Sequence, residues 1–308
     1  MLLKDATTKF LGSYIGVSSP ATHNWYAKKM KPLSVLDQKP VDKITTDDLQ
    51  AVWLSLVKRN ARWENHPSGR AKVEGPLSPF TLEGYVRCWR RFFNWLIDQE
   101  YIGDKNPALK LRRPPLPDLP PKAVTTSNLI KLLEASKGNA RDYAIVCWLA
   151  DTNARVGGTA GLLLEDIDFK TKKATVREKG RGGKGKARTV YLSPRTIRAL
   201  ERYLRERPDC DSDHVFVGKR SALTEGGIYL ALKRLAHKAC VSGRYNPHAF
   251  RHGWARGAIE NGADLGSVAD LMGNSMRVTQ KFYERWEDRE LQAKHRKVSW
   301  LPKEDEPD

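Results

Sequence analysis

Apolar positions in the first third of the chain recur at helical spacing. Leu49, Val52, Trp53, Leu56 and Val57 form one stripe, preceded by Thr45-Thr46-Asp47-Asp48, a helix start with acids in its first turn. Tyr85, Trp89, Phe92, Phe93 and Leu96 form a second, opened by Ser78-Pro79 or Thr81. Between them residues 60–77 are polar with Gly and Pro and read as a loop, and Asn106-Pro107 ends the unit. Residues 1–110 are therefore expected to be an all-α domain. The aromatic stripe belongs to its core rather than to a base-stacking surface.

From Arg112 to Lys122 five prolines fall within eight residues, which cannot continue a helix and should run extended. Residues 111–122 are thus a linker, either a plain spacer or, with its basic ends, a strand crossing a polyanion. Helical patterns resume at 128–135 and 142–150, and Asp151-Thr152-Asn153 breaks the second. Residues 174–179 and 187–192 alternate like strands around a Gly- and Lys-rich turn at 180–186, the pattern of a β-hairpin. That turn lacks Gly-Lys-Thr/Ser leading into a helix, which argues against a nucleotide site. Ser193-Pro194 starts a helix through Arg207, Val215-Phe216-Val217 reads as a short strand, and 226–240 as an amphipathic helix. The second half, 123–290, is accordingly a mixed α/β domain, mostly helical with a small antiparallel sheet.

Composition adds a partner. Fifty-four Lys and Arg against 36 Asp and Glu leave a formal charge of +18, which predicts nucleic acid before membrane. No apolar run approaches the ~20 residues of a spanning helix, and Met1 to Ala6 lack a signal-peptide core. A cytoplasmic protein is expected. Cys88, Cys147, Cys210 and Cys240 are far apart and read as free thiols. Arg87, Arg90 and Arg91 interleave with the aromatic stripe; they form a solvated face or contact phosphates, and the net charge favours phosphates. Arg112 and Arg113 at the linker, with Lys184 and Lys186 at the hairpin turn, join them as candidate DNA contacts.

The most informative run is Asn246-Pro247-His248-Ala249-Phe250-Arg251-His252. Asn246 is a cap, Pro247 suits the first turn, and Phe250, Trp254 and Ala258 mark the buried face. His248 and Arg251 lie three apart at a helix N-terminus, where free N–H groups already favour an anion. An ordinary capped helix with solvated polar residues fits this run equally well. Gly262 ends the helix; Leu265, Val268 and Leu271 give a second stripe closing at Gly273; Asn274-Ser275 opens a segment carrying Tyr283.

This His-x-x-Arg helix, then Leu-Met-Gly-Asn-Ser, then Tyr nine residues after the Asn, resembles the tyrosine recombinases of the phage-integrase family. The resemblance covers Ala123 to Arg289. It implies a catalytic set of Arg155, Lys179, His248, Arg251, Asn274 and Tyr283. Arg155 stands at the helix-to-turn junction where the family has its first arginine. The lysine belongs on the hairpin, with Lys179 preferred, then Lys184, then Lys186. Two positions depart from the pattern: the acid usual three places after the arginine is Gly158, and the usual His or Trp is Asn274. Alignment of the site is the property these departures affect, and reduced or partner-dependent activity is expected. His252 reads as a packing residue; His248 and His252 also fit a metal pair, but no third ligand has suitable spacing, so no metal or cofactor is expected.

As the family implies, the N-terminal module is a core-binding domain and both modules clamp duplex DNA carrying specific sites. Cleavage leaves a 3′-phosphotyrosine, and four protomers exchange strands through a Holliday junction, with an accessory DNA-bending or directionality factor as a further partner. The resemblance also implies a protein either associated with a bacterial nucleoid or encoded by a phage or mobile element. A DNA-binding relative that no longer cuts and a type IB topoisomerase-like enzyme are the alternatives. In the tail, 291–308, the apolar Val298, Trp300 and Leu301 suit exchange with a neighbouring protomer, against a plain disordered tail.

Overall fold

The computed structural model describes residues 1–62, 72–117, 122–179 and 185–283. The chain divides into two compact units, 1–118 and 119–308.

The first unit contains α1 (Leu3–Gly12), α2 (Pro20–Met30), α3 (Thr46–Val57) and α4 (Pro79–Asp98). Thr45 and Asp48 form a reciprocal capping box at the start of α3, and the Ser78 hydroxyl accepts from the Thr81 N–H at 3.2 Å to start α4. Trp89, Phe92, Phe93 and Leu96 of α4 are fully buried. Phe10 of α1 meets Tyr14, Tyr26, Phe92 and Trp95 at centroid distances of 5.2 to 5.5 Å, edge to face. Each such aromatic contributes roughly 1.5–3 kcal/mol by leaving water. The core reaches to Leu111, 1% exposed, beyond the helix-breaking Asn106-Pro107 and one residue into the expected linker.

The unit is not wholly helical. Within the expected loop, β1 (Ala61–Arg62) and β2 (Val73–Glu74) pair antiparallel, Ala61 with Glu74 and Arg62 with Val73. Two-residue strands carry no periodicity, so sequence could not announce them.

In the second unit α5 (Thr126–Ser136), α6 (Ala140–Thr152), α8 (Pro194–Glu206), α9 (Glu225–Lys238) and α10 (Pro247–Glu260) surround one core, with the five-residue α7 (Val156–Ala160) after α6. Ala144 to Leu149 are buried all round, making α6 the central helix. A three-stranded antiparallel sheet, β3 (Ile167–Asp168), β4 (Lys173–Lys179) and β5 (Gly185–Tyr191), lies beside it in that order. The register pairs Lys179 with Gly185 and Glu178 with Lys186, so Lys186 belongs to a strand and not to the turn. Val215–Val217 is fully buried but is not a strand. Among the described residues the pairing here is limited to single bridges, Leu163–His214 just before it and Val217–Ala222. The unit closes with α11 (Leu265–Met272) and α12 (Met276–Tyr283). Lys184, part of the linker and the tail 291–308 lie outside the described residues.

Candidate active site

α6 ends at Thr152, and Asn153 turns the chain in the left-handed region at φ 49°, which Asn tolerates better than most residues. Arg155 follows as the residue before α7. Its backbone N–H donates to Glu178 Oε1 at 2.8 Å, and its guanidinium pairs with the same carboxylate. A second guanidinium N–H reaches Asn274 Oδ1 at 3.3 Å.

Arg251 comes from α10. Asn246 caps that helix, its side chain accepting from the Ala249 N–H at 3.0 Å, with Pro247 in the first turn as expected from sequence. The buried face is rotated from the expected one. Arg251, Ala255 and Ile259 are buried beside Phe250, whereas Trp254 and Ala258 are only partly covered. The apolar pattern misled because one of the innermost residues is an arginine, 2% exposed. Arg251 donates to the Asn153 carbonyl at 2.9 Å, to Asn153 Oδ1 at 3.2 Å, to the Met272 carbonyl at 2.5 Å and to Asn274 Oδ1 at 3.0 Å. α11 likewise buries Met272, packed with Ala255, Ile259 and Val268, and leaves Leu271 exposed, while the Met272 carbonyl accepts from Arg251.

A third arginine, Arg188 of β5, completes the cluster. It donates to the Leu271 carbonyl at 2.8 Å, the Thr152 carbonyl at 3.2 Å and Asn153 Oδ1 at 2.9 Å, and lies 3.4 Å from Glu178. Glu178, 4.0 Å from Arg251 as well, is the carboxylate common to all three guanidiniums. Burial pushes its carboxyl up, but the Arg155 N–H and the arginine charges outweigh this and hold it below the usual range. Three cations against one anion leave a surplus of positive charge suited to a phosphate.

His248 is exposed in the first turn of α10, its ring 4.3 Å from that of His252, edge to face. Partial desolvation of its ring, together with the charges of Arg251 and Arg155, lowers its pKa, so it is neutral at pH 7 and able to take a proton. Burial, His248 and Arg251 push His252 down to about 4. No group of three potential metal ligands occurs among the described residues.

The structure thus brings Arg155, Arg251 and Asn274 into direct contact, with His248 in their electrostatic field. Lys179 ends β4 and Tyr283 ends α12. The expected DNA contacts in the first unit have different surroundings. Arg90 donates to the carbonyls of Ala108, Leu109 and Leu111 at 2.7 to 3.2 Å, holding the chain that follows α4. Arg87 lies over the Trp25 ring, Arg91 donates to Tyr14 at 3.5 Å, Arg112 is exposed, and Arg113 is 3.8 Å from Glu83. Sequence reading missed Asn153, Glu178 and Arg188. Their one signal was charge or polarity at positions an alternating strand or a helix end turns inward.

Residues 122–289 match the model of the phage integrase family. The tyrosine recombinase XerA of Pyrococcus furiosus is 33% identical over 64% of this chain and 67% of its own length. XerC of Alcanivorax borkumensis is 27% identical over 86% and 83%. Among solved structures, XerA recombinase is 25% identical and superposes with a TM-score of 0.54 over 97% of this chain and all of its own. The Tn1549 transposon integrase in complex with a circular-intermediate DNA, at 18% identity, shares the fold with a TM-score of 0.74 over the same shares.

Proposed function

Since the chain belongs to the phage integrase family of tyrosine recombinases, we propose that it is a site-specific DNA recombinase that cuts and rejoins duplex DNA through Tyr283. The observation that carries this reading is the shared acceptor. Arg155 and Arg251, 96 positions apart in sequence (251 minus 155), both donate to Asn274 Oδ1 and so converge on one point.

In this mechanism the Tyr283 oxygen attacks the scissile phosphorus and passes its proton to neutral His248. Arg155 and Arg251 direct N–H groups at the non-bridging oxygens, where negative charge builds up. The bond to the 5′-oxygen breaks, and that oxygen takes a proton from Lys179, the hairpin lysine at the end of β4. The products are a 3′-phosphotyrosine and a free 5′-hydroxyl. Because the phosphodiester's energy is kept in the covalent bond, the reverse attack by a second strand's hydroxyl rejoins DNA without ATP. Four protomers would pair two sites and resolve a Holliday junction, working with the genome in the cytoplasm and with any bending or directionality factor the sites require. The N-terminal unit would be the core-binding module, its Arg87, Arg91, Arg112 and Arg113 meeting backbone phosphates, as would Lys184 and Lys186 of the hairpin. The XerA, XerC and Tn1549 integrase relatives support DNA as the substrate.

The test uses nicked suicide duplexes selected from a library for binding to the protein. A denaturation-resistant protein–DNA adduct is expected from wild type and not from Tyr283→Phe. Tight binding without an adduct from either would favour a relative that binds but no longer cuts. Relaxation of plasmids of arbitrary sequence would favour a topoisomerase.

A further inference from the structure

Glu178 immediately precedes Lys179 on β4, and its side chain is 4% exposed. It accepts the Arg155 backbone N–H, pairs with the Arg155 guanidinium, and lies 3.4 Å from Arg188 and 4.0 Å from Arg251. On the next residue back the strand faces the other way: Arg177 pairs with Asp166. The space Glu178 fills depends on Gly158. A Cβ on that glycine would sit 2.5 Å from Val176 Cγ1, 3.1 Å from Glu178 Cγ and 3.4 Å from the Arg177 carbonyl. Any side chain at 158 would collide with β4, first with Val176 and then more loosely with the Glu178 side chain. A carboxylate can therefore reach this spot from α7 or from the strand, but not from both.

We propose that Glu178 is the positioning residue of this site, and that Gly158 and Glu178 are a reciprocal pair in which the orienting acid has moved from α7 to β4. The sequence departure at Gly158 then leaves no gap in the arginine cluster. It also has a mechanical result. The carboxylate that fixes Arg155 is one residue from the hairpin lysine, so the phosphate clamp and the strand delivering the leaving-group proton are set by the same segment. The inference rests on the cleavage reading above.

The test compares single-turnover adduct formation at saturating duplex with duplex affinity and melting temperature, using the selected nicked duplexes. Glu178→Gln keeps the shape and an oxygen for the Arg155 N–H but removes the charge. The rate should fall about 10²-fold, as a misplaced clamp does, with affinity little changed. Relocation is the decisive arm. Val176→Ala with Glu178→Gly should be as slow or slower, and adding Gly158→Glu, into the room the two truncations open, should recover roughly tenfold or more of the rate. A purely structural glutamate would lower melting temperature in step with activity and gain nothing from an acid at 158. An adduct rate in Glu178→Gln equal to wild type, or no recovery on relocation, overturns the proposal while leaving the cleavage reading intact. No adduct from wild type overturns both.

Discussion

Asn274 accepts from Arg251 at 3.0 Å through the same Oδ1 that Arg155 reaches at 3.3 Å. Two guanidiniums facing one amide fix its orientation, since only the oxygen can accept. In the structure the amide oxygen holds both arginines, with its nitrogen turned toward Met272 Sδ at 4.0 Å. Asn274→Ala should remove the shared acceptor and slow adduct formation by about 10–10², with duplex affinity close to wild type. An unchanged rate at saturating duplex would show that the pair holds its geometry without Asn274.

The identity of the hairpin lysine is settled by single substitutions. Lys179→Ala is expected to cripple cleavage while Lys184→Ala spares it, because Lys179 ends β4. Lys186, the register partner of Glu178, is the necessary third arm. A duplex whose 5′-leaving oxygen is replaced by sulfur needs less help from an acid. It should restore the rate in the variant lacking the true proton donor and in no other.

Stability should depend on pH through the two histidines. Both bind protons more weakly in the folded chain than in the unfolded one, whose value is about 6.5. As pH falls the unfolded chain takes up protons first. The stabilisation is fully present above about pH 6.5 and is lost progressively toward about 4, where folded His252 titrates. Glu178, also depressed, adds its own loss only below about pH 4.3, the unfolded glutamate value. Melting temperature should drop across this window, and His252→Gln should flatten the upper part of the drop. A pH-independent melting curve from 6.5 to 4.5 would contradict the assigned shifts.

Arg90 and its neighbours should separate by assay. Arg90→Ala removes the donor to three carbonyls after α4 and should cost about 2 kcal/mol in urea denaturation, in line with hydrogen bonds from charged groups. It should leave the salt dependence of DNA binding alone. Arg87→Ala or Arg91→Ala should each flatten the slope of log K against log salt by about 0.9, the value per neutralised phosphate. If Arg90→Ala flattens the slope instead, its guanidinium serves DNA more than the fold.

Much of this was legible in the sequence because it is local. The Thr45 and Asp48 box, Ser78-Pro79, Asn246-Pro247 and the alternating hairpin are decided by neighbours within a few residues, and the structure has all of them. Non-local features were not legible. The β1–β2 ladder depends on pairing across residues 63–71, and the apolar Val215–Val217 reads like a strand although its pairing stops at isolated bridges. In the site, Arg155, Arg251 and Asn274 stood out by motif spacing. Glu178 and Arg188 did not, since their importance comes from meeting one another across β4 and β5 and from the close packing of β4 against Gly158.

Thr152 and Asn153 close α6, and Leu271 and Met272 close α11; their four carbonyls take the hydrogens of Arg188 and Arg251. Helix geometry leaves the last carbonyls of any helix without an internal partner, and the aligned peptide dipoles make that end negative. Two helix ends thus act as counter-ions made of main chain alone. Unlike a carboxylate, they do not take up a proton in acid, and no side-chain substitution removes their charge. Arg188 and Arg251 consequently rest in part on a foundation that neither acid nor a side-chain substitution readily dissolves, whereas the support they take from Glu178 and Asn274 is open to both.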